Sequence, residues 1–546
     1  MRCFSFDIFD TCLTRLCGSP RNLFDVLSLS LRNSFGEVID EVARKRFVAL
    51  RSTAKGSNLR EIYEDVFEKF SCSFSLEEMV QRELDLERQM ILPIQSTKSL
   101  VDSFRKKGRI LFISDMYLPS CFLREILLKF GLWREGDGIY VSEESHAWKH
   151  DGSLYQLIAK QEALSFNKWH HYGDNRHSDY RVPHRLGIHA HILRYESLFF
   201  EEKWQRLPVL GFQYSSICAG ISRAIRLQSE SSDEQKSIVC NIIAPLLTSW
   251  VFRIMVNAKS LGIRRLYFCA RDAHTPYLVA QSWSDIFPEI EIRYLYISRE
   301  ALYDNPLSFD YLSSEGMTDS VPKAIVDVTT SGKTLSVINH WLKNKGVDPI
   351  RGFYWLTDSS IMEKGHYYVD SELDKSYLDA VAPSYTSRLA GMCFFYEIFF
   401  SFNRNPKTIS YEKIDNSIRP VFAVSNSPHD DWTCSGLDYS EYKEYHDKMV
   451  LAFAEAMRKT GLLSFNDRLF VDVAIRTSAD FVSYPPKEYC YFLNKVQLGG
   501  RPFVGNMIGR RAGIWHRGNI AYSVPRFMLV PLYALLTQPL IRKLFN

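Results

Sequence analysis

The stretch Cys3-Phe4-Ser5-Phe6-Asp7-Ile8-Phe9-Asp10-Thr11 decides the fold of the first part of this chain. Its apolar residues predict a short buried strand, and Asp7 and Asp10 lie where that strand ends and the chain turns. Open α/β sheets bind their ligands in the crevice at the carboxyl ends of the strands. Two carboxylates so close together repel each other unless a cation neutralises them. A divalent metal ion with oxygen ligands is the simplest candidate.

The composition is that of a soluble globular protein with two or three domains. The chain has 546 residues, of which 46% are hydrophobic and 24% charged, and its net charge is only +4. It contains no long run of lysine and arginine, so nothing indicates nucleic-acid binding. The eleven cysteines include no C-x-x-C pair, which indicates reduced cytoplasmic thiols rather than disulfides or a zinc site. We expect no signal peptide and no transmembrane segment, because Arg2 leads directly into the strand and the longest apolar run, 527–540, contains two prolines.

Strand and helix patterns alternate through about residue 195, apart from one helical stretch. Residues 18–95 show helical spacing throughout, beginning at Ser19-Pro20, and predict an inserted helical subdomain. The alternation then resumes, which predicts a parallel sheet with helices on its faces. The successive strand ends carry Ser114, then Lys149, then Asp174 and Asp179.

Together these positions resemble the four motifs of the haloacid-dehalogenase (HAD) superfamily of phosphotransferases. The motifs are D-I-F-D-T after the first strand, a strand ending in Ser114, an isolated Lys149 before a helix, and G-D-N-R-H-S-D. The resemblance covers about residues 1–195. It implies a Rossmann-like parallel sheet whose helical insertion, about 18–95, is a cap that closes over the site and selects the substrate.

The resemblance also implies catalytic roles. Asp7 is the expected nucleophile, forming an aspartyl-phosphate that divides one difficult displacement into two easier ones. Asp10 is expected to protonate the leaving alkoxide and then to activate water. Ser114 is expected to hydrogen-bond a phosphate oxygen, and Lys149 to neutralise the developing charge.

Magnesium is the cofactor that this resemblance implies. Mg²⁺ is expected on Asp7, the backbone carbonyl of Phe9 and Asp174. Asp179 completes the metal-site residues and is expected to orient a metal-bound water or Lys149. His170, His171 and His177 also suggest a metal cluster, but we interpret them as turn and surface residues because the oxygen-rich pocket already serves a cation.

Two other interpretations stay open for this part of the chain. The acids could be helix caps and turn residues, although all four motifs occur in order. The domain could also be an inactive phosphatase fold, although no catalytic position is substituted.

The second half begins after a region of linker and helices at about 196–240, which includes the polar segment 228–235. Residues 238–261 then form a long apolar helical pattern. We interpret it as a core helix rather than a membrane span, since Arg253 and Lys259 interrupt it. A second strand–loop–helix series follows, with strands predicted at 265–270, 292–297, 323–328 and 353–356.

The loop after the third of these strands suggests a phosphate site. Ser331-Gly332-Lys333-Thr334 looks like the end of a P-loop, but that motif needs a glycine where this chain has Asp327. The segment V-D-V-T-T-S-G-K-T-L instead resembles the phosphoribosyl-diphosphate (PRPP) loop of phosphoribosyltransferases. The alternative is a structural sheet edge with a capped helix.

This second resemblance spans about 240–360 and implies a PRPP site. Asp327 matches the acid that contacts ribose hydroxyls, and Arg271, beside Asp272, matches the place where the family binds pyrophosphate. The turn that would hold the 5-phosphate comprises Thr330, Ser331, Gly332, Lys333 and Thr334. Amides at a helix N-terminus bind anions, and a glycine lets a phosphate approach closely. The chain departs from the family at Val326, where the first acid is missing, and at Ser331, which replaces the usual threonine.

We expect the phosphoribosyltransferase-like α/β domain to cover 241–400 and a mostly helical extension to cover 401–546. Glu397 is a candidate base for an acceptor hydroxyl, the alternative being an ion-paired structural glutamate. The basic segment 501–517 suggests a site for an anionic glycan or a lipid phosphate. Alternatively, together with the apolar run 527–540, it suggests peripheral contact with anionic lipid of the inner membrane, from the cytoplasm. A solvated surface with a packed final helix is the alternative.

Taken together, the two halves are similar to two-domain bacterial enzymes that build ribofuranose residues of polysaccharides from PRPP. They imply a bifunctional enzyme whose C-terminal half transfers ribose 5-phosphate to a glycan acceptor, lipid-linked or growing. The N-terminal half would then remove the 5-phosphate. Two alternatives remain: a phosphatase of a small metabolite with a non-catalytic C-terminal interaction domain, and a non-catalytic member of a polysaccharide-assembly complex.

Overall fold

The structure, a computed structural model, divides the chain into two compact units. Unit 1 comprises Met1–Ser232 with Ala456–Ser464, and unit 2 comprises Asp233–Glu455 with Phe465–Asn546. The structure describes residues 2–193, 202–203, 212–229, 237–303, 305–330, 332–357, 375–380, 407–423, 432–434, 439–464, 481, 485–498 and 501–502. Each unit is built on a parallel sheet, so the α/β class expected from the sequence is confirmed.

Unit 1 contains a five-stranded parallel sheet and a two-stranded ribbon. The strands are β1 (Cys3–Asp7), β2 (Leu13–Arg15), β3 (Ile91–Pro93), β4 (Arg109–Ser114), β5 (Gly138–Val141), β6 (Trp169–Gly173) and β7 (His189–Ile192). In the sheet their order is β5-β4-β1-β6-β7, so the chain extends the sheet on one side of β1 and then on the other. Sheets of this kind bind ligands at the carboxyl ends of the strands where the order reverses, which here is beside Asp7.

β1 occupies the centre of the sheet, where both faces are covered by other elements and mostly apolar side chains are buried. All five of its residues are buried. Phe4 stacks on Phe104 with 4.4 Å between ring centroids, and Phe6 stacks on Tyr172 at 5.2 Å. Asp7 is in register with Ile113 of β4, so Ser114 is the next residue along that edge. The sheet therefore brings the first two predicted motifs together.

The predicted helical insertion is present as four helices. They are α1 (Pro20–Ser28), α2 (Glu41–Thr53), α3 (Leu59–Phe67) and α4 (Leu76–Met90). Side chains of Asp40, Asn58 and Ser75 cap the N-termini of α2, α3 and α4, and Glu78 completes a capping box on α4. The sequence did not indicate that β2 and β3 pair antiparallel where the insertion leaves and rejoins the sheet.

The other helices of unit 1 follow the alternation of strands and helices. They are α5 (Gln95–Arg105), α6 (Ser120–Lys129), α7 (Ser142–Ser145), α8 (Ser153–Gln161), α9 (Val182–Arg185) and α10 (Phe212–Arg226), with a π-helical turn at Arg176–Arg181. Helix α10 lies in the region expected to be linker and helices, and it packs against α1 and β2. The domain limits inferred from the sequence stay predictions.

Histidines at one edge of this sheet affect its stability in acid. His170 Nδ1 of β6 lies 3.3 Å from His191 Nε2 of β7, and the His189 ring stacks on His170 at 4.8 Å. Burial, and then the charge of neighbouring histidines, lowers the pKa of His170 and of His191 below the ordinary 6.5. As the pH falls, the unfolded chain therefore binds protons on these histidines more readily than the folded unit does. The contribution of these histidines to the free energy of unfolding is fully present above about pH 6.5, and it is lost as the pH falls below that value.

We expect the midpoint of thermal unfolding of the full chain to decrease between about pH 7 and about pH 5, and to decrease less in His170→Gln/His191→Gln. Calorimetric scans at several pH values measure this slope. The exposed His184 provides a matched control, since His184→Gln removes a histidine outside this cluster. An unchanged slope in the double variant would contradict the assignment.

Unit 2 contains the second five-stranded parallel sheet. Its strands are β8 (Arg265–Cys269), β9 (Glu291–Leu295), β10 (Lys323–Thr330), β11 (Arg351–Thr357) and β12 (Leu378–Ala380). The order is β12-β11-β10-β8-β9, which makes β8 and β10 neighbours. Val326 lies opposite Phe268 in their parallel register, so the carboxyl ends of the two strands lie side by side. All four predicted strands are present, each with slightly different limits.

The long apolar helix of unit 2 is a core helix. The helices around the sheet are α11 (Ala244–Ser260), α12 (His274–Ser282), α13 (Arg299–Tyr303), α14 (Ser308–Ser314) and α15 (Lys333–Asn344). In the described part of the chain, one helix, Val239–Ser260, is long and apolar enough to cross a membrane, and it is almost entirely buried. Trp250 packs edge-on against Trp355 at 6.3 Å, and Phe252 against Trp283 at 6.1 Å. These contacts confirm the interpretation made from the sequence.

The C-terminal extension contains short strands beside its helices. The elements are β13 (Thr408–Ile414), β14 (Ser417–Phe422), β15 (Trp432–Cys434), α16 (Tyr439–Lys459), α17 (Lys487–Leu493), β16 (Val496–Leu498) and β17 (Arg501–Pro502). The longest is the 21-residue helix α16. Glu397, the basic residues after Pro502 and the run 527–540 lie outside the described residues, so their predicted roles stay predictions.

Candidate active site

Carboxylates of the first and fourth motifs converge on Lys149. Its Nζ lies 2.5 Å from Asp7 Oδ1 and 2.7 Å from Asp179 Oδ1, and all three side chains are buried. Asp174 supplies a third carboxylate, and oxygens of Asp7, Asp174 and Asp179 lie within 4.8 Å of one another. Thr11 Oγ1, on the loop after β1, donates to Asp174 Oδ1 at 3.4 Å. The fold therefore brings four of the predicted site residues to one point at the carboxyl edge of the sheet.

The loop after β1 places Asp10 next to this point. Asp10 N–H donates to the Leu13 carbonyl at 2.6 Å, and the N–H groups of Cys12 and Leu13 donate to the Ile8 carbonyl. Asp10 has φ +56°, a left-handed conformation that aspartate adopts more readily than most residues. Its side chain is 33% exposed, whereas that of Asp7 is 9% exposed. Asp10 is thus more accessible to solvent than Asp7. The Phe9 carbonyl, predicted as a metal ligand, belongs to this same loop.

The segment at the end of β4 positions Lys149 by accepting a hydrogen bond from the Lys149 backbone. Ser114 is the last residue of β4, and its side chain is buried. The next residue, Asp115, accepts a hydrogen bond from the Lys149 N–H at 2.9 Å. Gly152 N–H donates to the Lys149 carbonyl at 3.2 Å, which closes the turn. Asp115 was not predicted as a site residue, although its position directly after Ser114 indicates one.

Asp179 is held on both of its oxygens. Oδ2 accepts the N–H of Asn175 at 3.0 Å, while Oδ1 accepts from Lys149 and faces His171 Nε2 at 3.2 Å. A Cβ on Gly173 would come within 2.5 Å of the Asp179 side chain, so a glycine is needed for this close approach. Of the two roles predicted for Asp179, these contacts favour orienting Lys149.

A buried chain of hydrogen bonds leads away from Asp179, and it was not predicted from the sequence. His171 of β6 is fully buried, so its interpretation as a turn or surface residue is wrong. Because the Asp179 carboxylate only accepts, His171 Nε2 carries the proton and Nδ1 accepts from Ser5 Oγ at 2.7 Å. Ser5 in turn accepts from Trp169 Nε1 at 2.7 Å. Burial lowers the pKa of His171, which keeps the ring neutral in this chain.

The electrostatics of the site leave a surplus of negative charge. Burial raises the pKa of Asp7 well above its ordinary value, Lys149 opposes that rise, and Asp179 and Asp174 add to it. Burial also acts to raise the pKa of Asp179, but Lys149 and His171 outweigh it and lower the pKa. Burial acts to lower the pKa of Lys149, and the two carboxylates outweigh it and raise the pKa. With all three carboxylates ionised, the one ammonium leaves two negative charges uncompensated, and a cation bound there would favour that ionised form.

These residues fit a divalent cation. The donors are carboxylate oxygens, which Mg²⁺ prefers, and the surplus of two negative charges matches its charge. Asp7 and Asp174 would hold it, since both oxygens of Asp179 already accept hydrogen bonds from the protein. The predicted magnesium site thus agrees with the chemistry of the donor set.

Comparisons with known proteins give a fold likeness for the N-terminal third. No protein-family model matches the chain, and no curated protein sequence does. Among solved structures, a HAD phosphatase from Thermococcus onnurineus is 19% identical with a TM-score of 0.26, and the match covers 34% of this chain and 84% of that one. A hydrolase from Streptococcus pneumoniae TIGR4 is 16% identical with a TM-score of 0.22, covering 35% and 92%. At these values the likeness carries no argument, and the account of the site rests on the geometry described above.

In unit 2, the predicted PRPP residues lie at the ends of β8 and β10. Arg271 and Asp272 follow β8, and Asp327 lies within β10, one residue after the position opposite Phe268. Burial, and then the charges of Asp327 and Asp272, raises the pKa of Cys269, the last residue of β8. Both acids therefore lie near the same thiol. Asp327 Oδ1 also accepts the N–H of Val328 at 2.8 Å.

The predicted phosphate turn has the expected strand–turn–helix form. Thr330 ends β10, and Gly332 precedes α15 with φ +82°, a conformation that explains a glycine there. Lys333 and Thr334 open the helix, whose first N–H groups have no helical partner. Lys333 Nζ lies 4.5 Å from the centroid of the Tyr303 ring. Ser331 lies outside the described residues.

Proposed function

We propose that unit 1 is a magnesium-dependent phosphomonoesterase of the HAD type. The observation that supports it best is the contact of Lys149 Nζ with Asp7 and Asp179, beside the carboxylate of Asp174. A buried ammonium in this position favours the ionised form of Asp7 and orients it at the sheet edge, as a carboxylate nucleophile requires.

The hydrolysis has two balanced steps. First, an Asp7 oxygen attacks phosphorus, the bond from phosphorus to the leaving oxygen breaks, and Asp10 gives that oxygen its proton. Second, Asp10 takes a proton from water, the water oxygen attacks phosphorus, and the bond to Asp7 breaks to release inorganic phosphate. Lys149 holds Asp7 and offsets charge on the transferred group, and Ser114 donates a hydrogen bond to it. Mg²⁺, when bound by Asp7 and Asp174, supplies further stabilisation of charge on the phosphate oxygens.

Phosphate release from a panel of phosphomonoesters tests this proposal. The full chain should release phosphate in the presence of Mg²⁺, lose that activity in EDTA, and recover it when excess Mg²⁺ is added. Asp10→Asn should retain phosphomonoester binding and turn over more slowly, since the leaving oxygen then receives no proton. Absence of phosphate release from every ester in the panel would contradict the proposal.

We further propose that unit 2 binds PRPP. Support comes from Arg271, Asp272 and Asp327 at adjacent strand ends and from Gly332 at the start of α15. Arg271 would bind the pyrophosphate with a planar, permanently charged donor group. Asp327 would accept hydrogen bonds from the ribose hydroxyls, and the N-terminus of α15 would bind the 5-phosphate.

Calorimetric titration with PRPP measures this site directly. We expect Arg271→Gln and Asp327→Asn each to weaken binding by about 10-fold to 100-fold, the loss of one or two charge-assisted hydrogen bonds. Asp348→Asn, at an exposed position after α15, is the matched control and should bind PRPP like wild type. If wild type does not bind PRPP, the alternative of a non-catalytic C-terminal interaction domain is favoured.

Together the two activities would add a ribose residue to a glycan. Unit 2 would transfer ribose 5-phosphate from PRPP to a glycan acceptor at the cytoplasmic side of the inner membrane, and unit 1 would remove the 5-phosphate. Incubating Asp7→Asn with PRPP and a lipid-linked glycan should accumulate the phosphoribosylated product. Formation of dephosphorylated product by that variant would refute this division of labour.

A further inference from the structure

Helix α10 brings a buried cation to the candidate phosphatase site. Arg223 is 7% exposed and lies on the side of α10 that packs against the start of the chain. The packing is close, because a Cβ on Gly220 would lie 2.1 Å from the Cys17 backbone. Arg223 Nη2 donates to the Cys17 carbonyl at 3.2 Å. Among the described residues, Nη2 also lies 3.9 Å from Asp10 Oδ1.

The guanidinium of Arg223 is incompletely satisfied. The distance of 3.9 Å to Asp10 is too long for a hydrogen bond. Among the described residues, Arg223 Nε has no acceptor although it is buried. One turn later on the same helix, Arg226 is also buried and pairs with Glu202, which precedes the helix, at 3.2 Å. A buried charge with unused donors is costly, and a ligand that supplied an acceptor would offset that cost.

The position of Arg223 identifies which side of the substrate it would meet. In the proposed mechanism Asp10 gives its proton to the leaving oxygen, so a cation beside Asp10 lies on the leaving-group side of the phosphorus. Two hydroxyls in the same packing region, Thr14 Oγ1 of β2 and Ser222 Oγ of α10, are also buried without partners among the described residues. Among the described residues, this region therefore holds buried donors, while Asp10 and the Cys17 carbonyl are the acceptors that Arg223 contacts.

We propose that Arg223 binds a second anionic group of the substrate, on the alcohol that leaves. The substrate class is then a phosphate monoester whose alcohol also carries a carboxylate or another phosphate near the scissile bond. Both groups present oxygens that a guanidinium binds with two parallel hydrogen bonds. This inference rests on the proposed phosphatase function, because it uses the role of Asp10 to define the leaving-group side.

Binding measurements on the full-length Asp7→Asn protein test Arg223 without turnover. The probes are 3-phosphoglycerate and glycerol 3-phosphate, which differ only in a carboxylate that replaces a hydroxymethyl group. We expect calorimetry in magnesium buffer to give about 10-fold to 100-fold tighter binding of 3-phosphoglycerate. Glycerol 2,3-bisphosphate against glycerol 3-phosphate repeats the comparison with a second phosphate on the neighbouring carbon and shows which anion is preferred.

Adding Arg223→Gln to this protein should remove the preference for the doubly anionic probes and leave affinity for glycerol 3-phosphate unchanged. Arg134→Gln is the matched control, since Arg134 pairs with Asp102 at 2.7 Å before β5, at the opposite edge of the sheet. Equal or undetectable affinities for both members of each pair, or a preference that survives Arg223→Gln, would overturn the proposal. Failure of wild type to release phosphate from any ester is a separate result, which refutes the phosphatase function.

Thermal unfolding of Arg223→Met separates ligand binding from a role in the fold. Methionine keeps the aliphatic body and removes an incompletely paired buried charge. The unfolding midpoint should therefore equal or exceed that of wild type. A midpoint below that of the Arg134→Gln control would assign Arg223 to the fold and overturn the proposal.

Discussion

Asp7→Asn is expected to reduce phosphate release by about 10⁴-fold or more, because a neutral amide cannot attack phosphorus as a carboxylate does. Asparagine matches the size of aspartate, so the packing at the end of β1 is preserved. Lys149 keeps its contact with Asp179 at 2.7 Å and is not left as an unpaired buried charge. The variant should therefore fold, and steady-state phosphate release with the best ester of the panel measures the loss.

The control for this variant is the same chemical change away from the catalytic edge. Asp102 on α5 pairs with Arg105 and Arg134, and its side chain is 37% exposed. Asp102→Asn should release phosphate at the wild-type rate. Equal rates for Asp7→Asn and Asp102→Asn would exclude Asp7 as the nucleophile.

Lys149→Met is expected to lower both activity and stability. Removing the ammonium leaves the buried carboxylates of Asp7 and Asp179 without their shared counter-ion. Breaking a buried ion pair on one side costs about 3–5 kcal/mol in the free energy of unfolding. Loss of a charge that stabilises the transferred phosphate lowers kcat by about 10²-fold to 10³-fold. Urea unfolding and steady-state kinetics measure the two effects.

A double variant separates these two effects of Lys149. Lys149→Met/Asp179→Asn removes one of the two stranded carboxylates, so part of the lost stability should return while kcat stays low. Lys160→Met, at the exposed end of α8, is the matched control and should change neither quantity. Unfolding free energies that simply add in the double variant would show that Lys149 and Asp179 do not interact as the structure indicates.

Local patterns in the sequence were sufficient for the elements that carry the motifs. The strands that end in Asp7 and Ser114 are short apolar runs with polar ends, and helices of the insertion have N-terminal side-chain caps at Asp40, Asn58 and Ser75. Both features are encoded within a few neighbouring residues. Strand ends in a parallel sheet meet at one edge, so convergence of the motifs could also be predicted.

Contacts between distant segments could not be predicted in the same way. The chain from Trp169 through Ser5 to His171 joins β6 to β1, and neither residue spacing nor composition indicates which hydroxyl a buried imidazole will meet. Arg223 lies more than two hundred residues from Asp10 on a helix outside the resemblance. The pairing of β2 with β3 involves strands of only three residues, which are too short for a periodic pattern.

Trapping the covalent intermediate on Asp7 tests the central claim most directly. The full chain is mixed with a phosphomonoester and Mg²⁺, quenched in acid, and treated with borohydride, which reduces an acyl phosphate to an alcohol. Trypsin then releases the peptide Cys3–Arg15, and mass spectrometry locates any modified residue within it. We predict that Asp7, and neither Asp10 nor any residue of another peptide, is reduced to homoserine, only when the ester is present. An unmodified Asp7 under conditions where phosphate is being released would contradict the account.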